Sequence, residues 1–210
     1  FINNFKNCYF KEKENKFEKG LFELKSVNNL FLDGYFQSPL YFNNIFEQIS
    51  FEVFPSKPQE KAFCEVAAQM RRENSVAICI RLYEETSDPT IYSRFGKTFN
   101  LNKINNALKK ISHNIHDIKC YVFCTRNDKS FAQLNLPKDT NFITEENGYS
   151  GSLNNLWLIA NCKHHIITNS SFYWWGAWLS YYLFKNKNKF VYISDDFLNL
   201  DCKLDSWYYY

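Results

Sequence analysis

The stretch His165-Ile166-Ile167-Thr168-Asn169-Ser170-Ser171-Phe172-Tyr173-Trp174-Trp175-Gly176-Ala177-Trp178 decides how this chain is read. Its opening run is mostly β-branched, as suits a strand buried on both faces. Asn169-Ser170-Ser171 then supplies the side chains that best cap a helix N-terminus. Residues 172–184 are bulky and largely apolar, with Trp174 and Trp178 on one helical face. A strand therefore runs through a polar cap straight into a helix.

The same kind of strand recurs outward from that stretch. Val76-Ala77-Ile78-Cys79-Ile80, Lys119-Cys120-Tyr121-Val122-Phe123-Cys124 and Phe190-Val191-Tyr192-Ile193 are short apolar runs. Between them Leu101, Ile104, Leu108 and Ile111 recur at helical spacing, as do Leu153, Leu156, Trp157 and Ala160. Strands alternating with helices predict an α/β fold with a parallel sheet covered on both faces. Further upstream, Asn29-Leu30-Phe31-Leu32-Asp33-Gly34 reads as a strand entering a turn and residues 39–49 as a helix. Phe54-Pro55-Ser56-Lys57-Pro58 carries two helix-breaking prolines, which predicts a boundary between residues 1–57 and a domain over 58–210, entered by a helix at 59–73.

Composition narrows the class. The 210 residues are 45% hydrophobic and 19% aromatic, enough for a packed core and too apolar for a disordered chain. No run reaches the roughly 20 apolar residues of a membrane-spanning helix, since 172–184 ends at Lys185-Asn186-Lys187. The net charge of +3 is small, and lysines alternate with glutamates, as in Lys11-Glu12-Lys13-Glu14, so nucleic acid is not the expected partner. Seven cysteines form no C-x-x-C pair and several sit in apolar runs, which predicts buried, reduced thiols.

Ligands of open parallel sheets bind at the carboxyl ends of the strands, where following helices point unpaired N–H groups at a crevice. Asn169, Ser170, Ser171 and Phe172 stand at such an end and would suit a diphosphate, although plain capping explains the same residues. Arg81 ends the first apolar run and so emerges on the same edge; its guanidinium matches phosphate oxygens, with an ion pair to Glu84 or Glu85 as the competing reading. The tryptophans read mainly as core, with Gly176 permitting close approach of another backbone. Neither His113 and His116 nor His164 and His165 has the further ligands a zinc site needs. Gly-rich phosphate loops and G-x-S-x-G elbows are lacking.

The segment from Leu158 to Leu179, centred on Cys162-Lys163-His164 and Asn169-Ser170-Ser171-Phe172-Tyr173-Trp174-Trp175-Gly176-Ala177-Trp178, resembles the C-terminal signature of the α-1,2-fucosyltransferases of glycosyltransferase family 11. Gly34-Tyr35-Phe36-Gln37-Ser38 with Tyr41-Phe42 is similar to a second family motif. A third, V-x-I-H-x-R-R-G-D-Y, is changed: Arg81 stands for its first arginine, while Cys79 replaces the histidine, Leu82 the second arginine, and Glu84 the aspartate. Asn155 stands where the family usually has an acidic residue, and the family's glycine-rich N-terminal segment is missing.

The resemblance implies a GT-B architecture of Rossmann-like domains, with residues 58–210 as the nucleotide-sugar-binding domain and 1–57 as a remnant of the acceptor-side domain. It implies GDP-fucose as donor, an oligosaccharide galactoside as acceptor, inversion at the sugar carbon, and no cofactor or essential metal. Arg81 would bind phosphate, Asn169, Ser170, Ser171 and Phe172 would line the donor site, the tryptophans would shape it from beneath, and Glu84 is the candidate base. The changed third motif leaves open an impaired or sugar-nucleotide-binding relative, or one using another nucleotide sugar. Action in the cytoplasm, peripheral to the inner membrane face, is the implied location.

Overall fold

In the computed structural model, which describes residues 7–14, 16–24, 29–82, 88–90, 100–185, 188–197, 199 and 201–210, β3 (Asn74–Cys79) occupies the middle of a six-stranded parallel sheet. Its side chains explain the position. Val76 and Ile78 bury against one layer and Ala77 and Cys79 against the other, all four inaccessible to solvent. A strand apolar on both faces belongs between two helical layers. One layer is α3 (Leu101–Asn114), which contributes Ile104, Ala107, Leu108 and Ile111. The other holds α2 (Lys61–Arg72), α4 (Ser152–Ala160) and α5 (Ser171–Leu183).

The remaining strands are β4 (Ile118–Phe123), β5 (Asn141–Ile143), β6 (His164–Ile167), β7 (Val191–Ile193) and β8 (Tyr208–Tyr209). Their order across the sheet is β5-β4-β3-β6-β7-β8, every pair parallel. The chain thus builds outward from β3 to β5, crosses back, and builds outward again from β6. That is the strand order of a Rossmann-like sheet, and the reversal leaves a crevice between β3 and β6 at their carboxyl ends.

The α/β parallel arrangement matches the sequence expectation, with six strands in place of the four anticipated. Residues 39–49 do not form one helix. Pro39–Tyr41 and Asn43–Ile45 are single 3-10 turns, and the helix α1 runs later, over Phe46–Val53. Phe42, at φ −144° and ψ 5°, interrupts the turn sequence, and the gain is burial of its ring against the α5 tryptophans. The Phe42 and Phe46 centroids lie 5.4 and 4.6 Å from that of Trp178. Tertiary packing outweighs helical continuity here. Residues 7–33 add a separate parallel pair, β1 (Asn7–Lys11) with β2 (Asn29–Asp33).

Gly176 is required by contact. A Cβ there would stand 2.3 Å from Cγ2 and 2.8 Å from Cβ of Ile159, so α5 and α4 touch at this point. The close neighbour is a branched side chain rather than the backbone expected from sequence. Five of the cysteines (79, 120, 124, 162 and 202) are buried, and all seven are free thiols. Among the described residues no helix is long and apolar enough to cross a membrane.

Candidate functional site

Three strand ends build the site. Beyond β3 the chain continues through Ile80 to Arg81, beyond β4 through Cys124 to Thr125, and beyond β6 through Thr168 and Asn169 to the start of α5. The first and third are tied directly: Thr168 Oγ1 donates to the Cys79 carbonyl at 3.1 Å and accepts from the Arg81 backbone N–H at 2.9 Å. Tyr173, one turn into α5, donates its buried hydroxyl toward the carbonyls of Ile80 (3.1 Å) and Phe123 (3.4 Å). Helix α5 is therefore fastened across the ends of β3 and β4, with its N-terminus facing the gap.

That gap is a cavity of about 560 Å³, a size common for bound nucleotides and cofactors. Arg81, Asn169, Ser170, Ser171 and Phe172 all line it, so the residues singled out from sequence converge on one place, the sheet's switch point. Their roles differ. Ser170, not Asn169, is the N-cap: its Oγ accepts from Tyr173 N at 3.5 Å, which leaves its own hydroxyl hydrogen to donate. Asn169 turns its amide to the Asp196 carbonyl at 3.0 Å and so braces the loop after β7. Ser171 opens the helix, where backbone N–H groups lack intrahelical acceptors and favour an anion. Glu84, with Glu85, lies outside the described residues.

The structure adds wall residues that sequence alone did not assign to the site. Gln37 arrives from the segment after β2, Thr125 from the end of β4, Glu145 from the turn after β5, and Gly151 with Ser152 from the start of α4. Gly151 sits at φ 93°, a conformation that suits glycine and sets the entry angle of α4. Glu145 is the one carboxylate on the cavity wall among the described residues. Asn155, on α4, donates Nδ2 to the Tyr149 carbonyl at 3.2 Å, while its buried Oδ1 has no partner among the described residues. An orphaned acceptor on a cavity wall is suited to a ligand N–H or O–H.

The tryptophans separate from the cavity. Trp178 is buried in the core, and Trp174 spends its indole N–H on the Cys202 carbonyl at 2.7 Å. Trp174 and Trp175 instead line a small neighbouring cleft. Two of the residues that replace the third motif do not line the cavity: Cys79 is wholly buried, with its thiol pushed well up by burial, and Leu82 is buried. No group of three or more His, Cys, Asp or Glu side chains fit to hold a metal occurs among the described residues.

The family model of glycosyl transferase family 11 matches residues 1–209, almost the whole chain. The chain belongs to that family. It is also similar to an alpha-1,2-colitosyltransferase of Escherichia coli, 67% identical over 27 residues, which cover 13% of this chain and 9% of that protein. No solved structure matches it. For a glycosyl transferase family member, a nucleotide-sized cavity with a helix N-terminus and an arginine at its mouth is where a nucleotide sugar is expected.

Proposed function

We propose that this family 11 chain transfers fucose from GDP-fucose to the 2-hydroxyl of a galactoside, with inversion and without an essential metal. The observation that carries the reading is the convergence of Arg81 and the α5 N-terminus on one cavity at the switch point. The donor's diphosphate would lie against Ser170, Ser171 and Arg81, with the nucleoside between β4 and α4, near Thr125, Glu145 and Asn155.

The acceptor oxygen attacks the anomeric carbon as the bond from that carbon to the β-phosphate oxygen breaks. The acceptor proton passes to water, and GDP leaves carrying the bonding pair. Charge grows on the diphosphate in the transition state, where the guanidinium and the preorganised N–H groups stabilise it. The GT-B division, with residues 58–210 holding the donor and 1–57 on the acceptor side, belongs to the same proposal, as does a cytoplasmic site of action at the inner membrane face.

A second reading is favoured by Cys79 and Leu82, both buried away from the cavity: an impaired family member, or one specific for another nucleotide sugar. The similarity to a colitosyltransferase makes colitose the sugar to compare, since it is fucose without the 3-hydroxyl. Calorimetry with GDP, GDP-fucose, GDP-colitose and UDP-galactose, followed by mass spectrometry of a galactoside incubated with each donor, tests both readings. Binding of the GDP compounds and transfer of fucose are expected. Transfer of colitose alone assigns the other donor, binding without transfer assigns the impaired member, and no GDP binding contradicts the proposal.

A further inference from the structure

Beside the large cavity lies a second cleft walled by Tyr35, Phe36, Phe42, Trp174 and Trp175, and the two share Gln37 and Ser171. At about 80 Å³ it is too small to enclose a sugar ring, so any ring there must lie against its aromatic rim. Tyr35 is 74% exposed, so its ring is open to a ligand. The Trp175 ring is half-buried and backed by Phe42, with centroids 5.5 Å apart and planes 17° from parallel. Such faces attract the partly positive C–H bonds of a pyranose while leaving its hydroxyls to polar groups.

The rim is also held at a cost. Phe36 has φ 48°, a left-handed backbone that bulky residues rarely adopt and that persists only where neighbours enforce it. Glu12 enforces it: Oε2 accepts from the amides of Tyr35 (2.9 Å) and Phe36 (3.2 Å). Glu12 is itself anchored, its N–H donating to the Asp33 carbonyl at 2.9 Å. A side chain from the end of β1 thus fixes the strained turn that sets Tyr35 and Phe36 on the wall of the small cleft.

We infer that this cleft is the acceptor subsite, with Tyr35 and Trp175 as the stacking platform for the C–H face of a pyranoside, Gln37 at the junction with the donor cavity, and Glu12 as the positioning residue. The inference rests on the donor assignment above only for which end of the acceptor reacts. The platform favours a galactoside, whose axial 4-hydroxyl turns C4–H to the same face as C3–H and C5–H and so gathers one contiguous apolar patch.

The test is titration of the 210-residue chain with methyl β-D-galactopyranoside to millimolar concentration, with and without GDP, read by tryptophan fluorescence, with GDP affinity measured separately by calorimetry. Saturable quenching is expected. Tyr35→Ala should weaken it about fivefold to tenfold, the loss of one stacking face, and leave GDP affinity within about twofold. Glu12→Ala should weaken it as well, and Glu12→Gln, which keeps an acceptor oxygen, should restore it. Failure of the chain to bind the galactoside, or unchanged affinity in Tyr35→Ala, overturns the inference. Tyr35-dependent galactoside binding in a chain that ignores GDP upholds the platform and removes the donor reading instead.

Discussion

The two ends of β6 are both polar and do opposite things. At the amino end His164 and His165 are sealed in the core: His165 places one ring nitrogen 2.9 Å from the Ile159 carbonyl, and His164 Nδ1 accepts from Phe190 N at 3.2 Å. Lys189 is buried beside them, 4.3 Å from the Tyr181 ring. Stacking there favours its charge and burial opposes it; burial dominates, and its amine is held well below the usual lysine range. At the carboxyl end Asn169, Ser170 and Ser171 open onto the large cavity. The difference teaches that residue type does not mark a site. Sheet topology does, because the chain reversal opens a crevice at one edge of the strands only.

The largest expected effect falls on the open end. Arg81→Ala should lower turnover about 100- to 1000-fold in protein that still folds, the usual cost of removing one preorganised transition-state donor. A normal rate, or a loss explained by unfolding, would place Arg81 with the structural residues and erase the contrast.

The closed end should answer to pH instead. Burial is the main cause that lowers His164 from 6.5 to about 4, and the same cause holds His165 well below the usual histidine value. A base whose folded pKa is depressed is protonated more readily in the unfolded chain, so its stability contribution is present above the unfolded value and lost as pH falls toward the folded one. Unfolding by urea should show a loss on the order of 3 kcal/mol from His164 between about pH 6.5 and 4. His164→Gln should flatten that slope, and an unaltered slope would mean that the ring is hydrated.

Two smaller effects sharpen the picture within α5. Gly176→Ala should destabilise by about 1–3 kcal/mol through overlap with Ile159, measured by thermal unfolding, despite alanine's better helix propensity. Ser170→Ala should cost about 0.5–2 kcal/mol as a lost N-cap and also weaken GDP binding, whereas Gly176→Ala should act on stability alone.

Much of the α/β layout was legible because its elements are long and periodic. β3 and β4 are continuous apolar runs, and α3 repeats Leu101, Ile104, Leu108 and Ile111. β5 and β8, three and two residues long, carry no readable period, and Tyr208-Tyr209-Tyr210 looks like a compositional patch rather than a strand. β1 was hidden beside the charges of residues 11–16, and the helix expected at 39–49 yielded to burial of Phe42. Arg81 and Ser170 could be found because each closes an apolar run. Glu145 could not, and Gln37 and Asn155 stood out only as motif positions, since each reaches the cavity from a loop or helix distant in sequence and only the fold brings them together.

The central claim is that the β3–β6 edge, and not its opposite, receives a nucleoside diphosphate. Amide hydrogen exchange with and without saturating GDP tests it most directly. Slower exchange at 81 and at 170–173, with His164 and His165 unchanged, is the predicted result; protection confined to the amino ends of the strands, or protection nowhere, would contradict it.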